Sequence, residues 1–206
     1  MREIVLDTET TGLSPYDGHR VIEIGCVELF DKIPTGKTFH TYVNPLRDVP
    51  KEAFAITGLT EAFLRPFPIF EHVANDFLSF IEDSTLVIHN ASFDLKFLDF
   101  QLNDLGYKKI DRSRVIDTLR LAREKFPGAP ASLDALCKKY RIQVAREKHG
   151  ALLDAQILAR VFYRLSEKEQ AILDVEKKEI PKPVSFPRRH FSVSNEELEL
   201  HNNWLK

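Results

Sequence analysis

The order of segments in this chain predicts an α/β fold: a mixed, five-stranded β-sheet flanked by helices, followed by a linker and a short helix. Three early segments carry the apolar alternation of strands and are joined closely enough to pair as an antiparallel meander. Two later apolar strands alternate with helical periodicities, which adds parallel strands covered by helices. Beyond them the core-forming periods stop and a charged, proline-bearing stretch begins.

Composition sets the outer bounds. At 206 residues, 43% hydrophobic and 29% charged, the chain suits one globular domain with an appendage, or two small domains. A formal net charge of -2 excludes a globally basic nucleic-acid coat but not a polynucleotide enzyme whose cations lie beside an acidic metal site. Cys26 and Cys137 lie far apart without a CxxC or Cys/His companion, so both read as reduced core thiols and not as zinc ligands. The start of the chain runs directly into a strand, and no apolar run approaches membrane-spanning length. A cytoplasmic protein without membrane association is expected.

The first strand is the run Ile4, Val5, Leu6, apolar on both faces as in the middle of a sheet. Residues 20–30 alternate through Val21, Ile22, Ile24, Cys26, Val27 and Leu29, and residues 37–43 carry Thr38, Phe39, Tyr42 and Val43; both read as strands. Residues 31–36 form a turn-rich connector between them. Residues 50–64 read as two short helices broken at Thr57 and Gly58, and residues 70–81 repeat Phe70, Val73, Ala74, Phe77 and Ile81 at helical spacing. Strand character returns at 85–89. Asn90 is placed to cap a helix running to about residue 105, whose apolar set is Phe93, Phe97, Leu98, Leu102 and Leu105. A short strand at 115–117 precedes helices at 118–126, 132–140 and 150–165.

Chemistry enters at Asp7 and Glu9, which close the first strand and, two residues apart, point to the same face. Two adjacent carboxylates at the centre of a sheet repel unless a cation holds them, and their hard oxygens favour Mg²⁺ or Mn²⁺. An exposed acidic turn is the alternative. Thr10, Thr11 and Gly12 follow as a turn whose backbone could approach a ligand closely. Asp94 falls in the first turn of its helix, where the dipole alone favours an acid by about 0.3–1 kcal/mol. His89 reads as a hydrogen-bonded strand end and Phe93 as core. Asp154 is surrounded by Ala151, Leu152, Leu153, Ala155, Ile157 and Leu158, so its carboxylate wants a partner. His149, just before that helix and beside Gly150, has an ordinary pKa of about 6.5 that suits a base at neutral pH, although a lone histidine is more commonly surface decoration. Four carboxylates converging at one end of the sheet could hold two divalent ions about 3.5–4 Å apart, the arrangement of phosphoryl displacement.

Three stretches, Asp7-Thr8-Glu9-Thr10-Thr11-Gly12, His89-Asn90-Ala91-Ser92-Phe93-Asp94 and His149-Gly150-Ala151-Leu152-Leu153-Asp154-Ala155-Gln156, resemble in order and spacing the motifs of the DEDDh 3′→5′ exonucleases. The resemblance continues through Val21-Ile22-Glu23-Ile24-Gly25 and Ser132-Leu133-Asp134-Ala135-Leu136-Cys137, and within the family it is greatest to the proofreading subunits of bacterial DNA polymerase III. It implies a ribonuclease H-like sheet. It also implies that Asp7, Glu9 and Asp154 bind two divalent ions, Mg²⁺ or Mn²⁺, with Asp94 completing the acidic set and His149 deprotonating the attacking water. The implied substrate is the 3′ end of DNA, met by Thr10, Thr11, Gly12, Glu52, Thr57, His89, Asn90 and Phe93. Thr57 departs from the family, which often carries histidine there, and puts that imidazole's contact in doubt.

The resemblance further implies a division into an exonuclease domain (1–166), a charged, proline-bearing linker (167–190) and a polymerase-binding tail (191–206). Gln170 and Leu173 belong to a degenerate form of the peptide that touches the sliding clamp; the frayed end of a helix is the plainer alternative. Ser194 and Glu197 have capping-box spacing, Val193 and Leu198 the spacing of a hydrophobic staple. The helix that follows would offer Leu198, Trp204 and Leu205 to the polymerase (alpha) subunit, or fold back on its own domain. Two rival functions remain: an RNA-trimming exonuclease with the same motifs, against which the tail speaks, and a non-catalytic replisome-binding module, which would lack an acid or the histidine.

Overall fold

The computed structural model of the chain describes residues 1–144, 148–167 and 194–204. The backbone divides into two units, Met1–Lys168 and Glu169–Lys206. The first is built on strands β1 (Arg2–Thr10), β2 (Val21–Phe30), β3 (Ile33–Tyr42), β4 (Thr85–Ile88) and β5 (Val115–Asp117). Helices α1 (Lys51–Thr57), α2 (Glu61–Leu64) and α3 (Phe70–Ile81) join β3 to β4, and α4 (Ala91–Asp104) joins β4 to β5. Helices α5 (Thr118–Lys125), α6 (Leu133–Tyr140) and α7 (Ala151–Ser166) follow. The strand order is β3-β2-β1-β4-β5, with β1–β2 and β2–β3 antiparallel and β1–β4 and β4–β5 parallel. This is the mixed, five-stranded, helix-flanked sheet that the sequence predicts.

The period-two alternation of β1 divides the core. Ile4 and Leu6 join Phe70, Val73 and Phe77 of α3 and Leu95 and Leu98 of α4, while Val5 faces the other way with Val27, Leu29 and Val87 against Ala155, Leu158 and Phe162 of α7. Phe77 and Phe97 are wholly buried, each contributing about 1.5–3 kcal/mol relative to exposure. Helices α5 and α6 pack on the flank of α7 through Ala122, Leu136 and Cys137. Both cysteines are buried, and burial, with Asp7 adding, pushes the thiol of Cys26 well up.

Strand β1 carries Asp7 and Glu9 at its end, as expected, and runs to Thr10, because β2 goes on pairing with it through Glu9 opposite Glu23. Two elements differ from the sequence expectation. The connector between β2 and β3 is two residues long: Asp31 and Lys32, with φ of 49° and 68°, make the left-handed pair whose twist suits a hairpin. The turn-forming residues Pro34 and Gly36 are therefore strand residues, and Pro34 is tolerated because β3 is an edge. Asn90 stands at the N-cap of α4 without capping it. Its left-handed backbone (φ 61°) is not the extended one a side-chain cap requires, and its Oδ1 accepts from Ser92 Oγ at 3.3 Å instead.

In the second unit, the described residues form α8 (Asn195–Trp204). The capping box is made: the Ser194 amide donates to Glu197 Oε2 (3.0 Å) and the Glu197 amide to Ser194 Oγ (3.3 Å). None of the helix's residues is buried. Val193 of the expected staple, Leu205, Gln170 and Leu173 lie outside the described residues, as does the linker beyond Glu167. Among the described residues no helix is long and apolar enough to cross a membrane.

Candidate active site

The parity that sends Val5 towards α7 sends Asp7 and Glu9 there too. Asp7 pairs across the sheet with Gly25, and Gly25 admits α7: a β-carbon there would meet the Ala151 carbonyl carbon and the Leu152 nitrogen at 2.2 Å. The first turn of α7 thus rests on the backbone beside Asp7. Asp154, in that turn and 4% exposed, reaches the same place as Glu9. Glu9, His149 and Asp154 each offer a donor atom, and these lie within 4.8 Å of one another. His149 Nδ1 is 2.9 Å from Asp154 Oδ2, so its ring is oriented by the carboxylate.

Asp94 comes from the opposite side of the sheet. The parallel pairing of β1 with β4 runs only to Val5 opposite Val87, which leaves the Thr8 amide for a side chain. That amide (3.0 Å) and the Thr8 hydroxyl (2.7 Å) both donate to Asp94 Oδ1, fastening Asp94 to the residue between Asp7 and Glu9. Burial drives the Asp94 carboxyl up to about 7, with Asp117 adding to the rise and the Thr8 bonds opposing it. Three acids and a fourth so placed, with hard oxygens, Asp94 and Asp154 buried and Asp7 and Glu9 half-buried, have the chemistry of a divalent-cation site: a cation would offset the repulsion that burial enlarges.

A groove of about 620 Å³ opens over Glu9. The turn Thr10, Thr11, Gly12 forms one wall and Glu52, Ala53, Ile56 and Thr57 of α1 the other, with Phe93 also lining it. Gly12 gives room for the His19 ring, which a β-carbon would meet at 2.4 Å. Thr57 spends its hydroxyl within the helix end, donating to Ala53 O (3.0 Å) and accepting from the Leu59 amide (3.2 Å). His89 and Asn90 lie outside the groove lining. The His89 ring sits 2.9 Å from Thr118 Oγ1 with its pKa lowered, chiefly by burial, and the Asn90 amide donates to Asp117 Oδ1 (3.1 Å).

Thr8, whose side chain points away from its acidic neighbours, and the groove residues Leu13, His19 and Ile56 carry no chemical signal in the sequence. Gly25 does carry one, since a glycine inside a strand is a sign of close backbone approach.

The sequence pattern of the exonuclease family of RNase T type matches residues 4–162. DNA polymerase III subunit epsilon of Rickettsia typhi is 53% identical over 175 residues, covering 83% of this chain and 76% of the relative. The subunit epsilon of Rickettsia conorii is 42% identical over 219 residues, covering 100% of this chain and 95% of the relative. Among solved structures, exonuclease X in complex with 5′-overhanging duplex DNA superposes with a TM-score of 0.63 at 28% identity, covering 79% of this chain and 90% of the other.

Proposed function

This chain belongs to the exonuclease family and, within it, to the epsilon subunits of DNA polymerase III, the proofreading 3′→5′ exonucleases, and from that premise we propose how its residues carry the reaction. It is a metal-dependent polymerase subunit that acts on DNA. In the proposed reaction water attacks the last phosphodiester of a 3′ end and a nucleoside 5′-monophosphate leaves. Asp7, Glu9 and Asp154 hold two divalent ions, Mg²⁺ or Mn²⁺, and Asp94 completes the set. Ions held there supply the positive charge that makes water more acidic and stabilises the phosphate. With Nδ1 of His149 engaged by Asp154, Nε2 is the nitrogen that takes the proton from water.

The terminal nucleotide lies in the groove between the Thr10–Gly12 turn and α1, with Glu52 and Phe93 among its contacts. Mispaired ends are preferred because an unpaired terminus frays at lower cost and enters as a single strand.

The observation that carries this reading is the convergence of His149 and Asp154 within 4.8 Å of Glu9, which lines that groove. Hydrolysis of 3′-mispaired DNA beside single-stranded RNA, with and without Mg²⁺, tests it. Release of 5′-monophosphates from the DNA in Mg²⁺ alone is expected; faster digestion of RNA would assign an RNA-trimming role, and no digestion a non-catalytic one.

The proposed organisation is an exonuclease domain over residues 1–166, a linker over 167–190 in which Gln170 and Leu173 touch the sliding clamp, and a tail over 191–206 on the polymerase alpha subunit. Support for the tail comes from α8, where Leu198 is 48% and Trp204 91% exposed on a well-capped helix. A partner groove would bury both, with Trp204 as anchor.

A further inference from the structure

We propose that α1 positions the base: the helix that walls the groove also holds, by its C-terminal carbonyls, the loop that carries His149, and Lys148 is the side chain that fastens it. This rests on His149 being the base, as read above. A helix end leaves carbonyls that no amide of the helix serves. In α1 the Phe54 carbonyl is taken by the Gly58 amide at 2.8 Å, where the backbone turns left-handed (φ 75°). The next two go to the catalytic loop. The Lys148 ammonium donates to Ala55 O (2.7 Å) and the His149 amide to Ile56 O (3.1 Å). The aliphatic stem of Lys148 passes over Gly58, where a β-carbon would stand 3.4 Å from its Cγ. A cation at the end of a helix is also favoured by the partial negative charge of those carbonyls.

The same short helix presents Glu52, Ala53, Ile56 and Thr57 to the groove. A nucleotide pressed against α1 therefore bears on a body to which the base's own peptide is tied, through Ile56 in particular, which lines the groove with its side chain and holds His149 with its carbonyl. The His149 ring is then fixed from two directions, by Asp154 through Nδ1 and by α1 through the main chain. Lys148 touches neither water nor phosphate in this account. It is a positioning residue, and its removal takes away one of the two ties between α1 and the loop described above.

The test compares Lys148→Ala, Lys148→Arg and His149→Ala in the full chain, using steady-state digestion of single-stranded DNA in Mg²⁺ and hydrogen exchange of the His149 amide. Because misplacement by about 1 Å can cost about 10²-fold, partial loosening in Lys148→Ala is expected to lower kcat by about 10-fold with KM unchanged. Exchange at the His149 amide should quicken, and Lys148→Arg should restore both readouts. An unchanged kcat and exchange rate would overturn the proposal. So would a raised KM at unchanged kcat, which would place Lys148 on a substrate phosphate. Failure here with His149→Ala impaired rejects only the role of Lys148, whereas full activity in His149→Ala rejects the base itself.

Discussion

Gly25 lies directly beneath the main chain at Ala151 and Leu152, so close that its missing side chain is what lets the first turn of α7 settle on the sheet. A β-carbon 2.2 Å from backbone atoms cannot be relieved by a rotamer change; the helix must move. Gly25→Ala is therefore expected to cost about 3 kcal/mol in urea-induced unfolding, at the upper end for overpacking. Because Asp154 rides on that turn, the variant that still folds should be nearly inactive. Wild-type activity in folded Gly25→Ala protein would mean that this contact does not set the position of Asp154.

Thr8→Val keeps the shape of the side chain and the amide bond to Asp94 but deletes the hydroxyl bond of 2.7 Å. A buried acceptor that loses a donor costs about 1–3 kcal/mol, so stability should fall by that amount. We expect kcat to fall with it, since Thr8 would hold Asp94 by one bond instead of two. Thr8→Ser, which retains the hydroxyl, should recover most of the lost rate.

Much of this site was legible from local pattern. Asp7 and Glu9 share a face because a strand has period two, and Asp154 stood out as a carboxylate in an apolar helix. What was not legible depends on distant chain. Thr8 meets Asp94 across 86 residues, and only because β4 stops pairing with β1 at Val87 does the Thr8 amide need a side chain. The extent of β3 was hidden because Pro34 and Gly36 look like turn residues until an edge position excuses them. Asn90 has the composition of a cap, but its left-handed backbone, with the Asp117 carboxylate on its amide, gives it another place.

Acid stability should carry the signature of Glu28. Its carboxyl is held below the usual range, first by the Thr35 hydroxyl and then by Arg2, against the cost of burial and with help from Lys37. A carboxyl whose folded pKa lies below its unfolded value stabilises the fold above the unfolded pKa, and that stability is lost as pH falls through the folded pKa. Glu28→Gln should therefore be less stable than the parent at neutral pH, with the difference closing below about pH 4. Urea unfolding at a series of pH values checks this; a difference independent of pH would assign the effect to packing.

Removal of the chain after Ser166 should separate two activities. The truncated protein keeps the sheet, the groove and all four acids, so digestion of single-stranded DNA should survive. Co-purification with the polymerase alpha subunit should be lost. Persisting association, in the truncation or in Leu198→Ala combined with Trp204→Ala, would place the contact on residues 1–166.

The central claim, that the acids around Glu9 hold the cations of a hydrolytic site served by His149, is tested most directly by single-turnover release of a mispaired 3′-terminal nucleotide in Mg²⁺. Asp7→Ala and Asp154→Ala should fold and release none, excess chelator should do the same to the parent, and His149→Ala should lose about 10²–10⁴-fold, the range of a general base. Parent-like release by either aspartate variant, or by the parent in chelator, would contradict it.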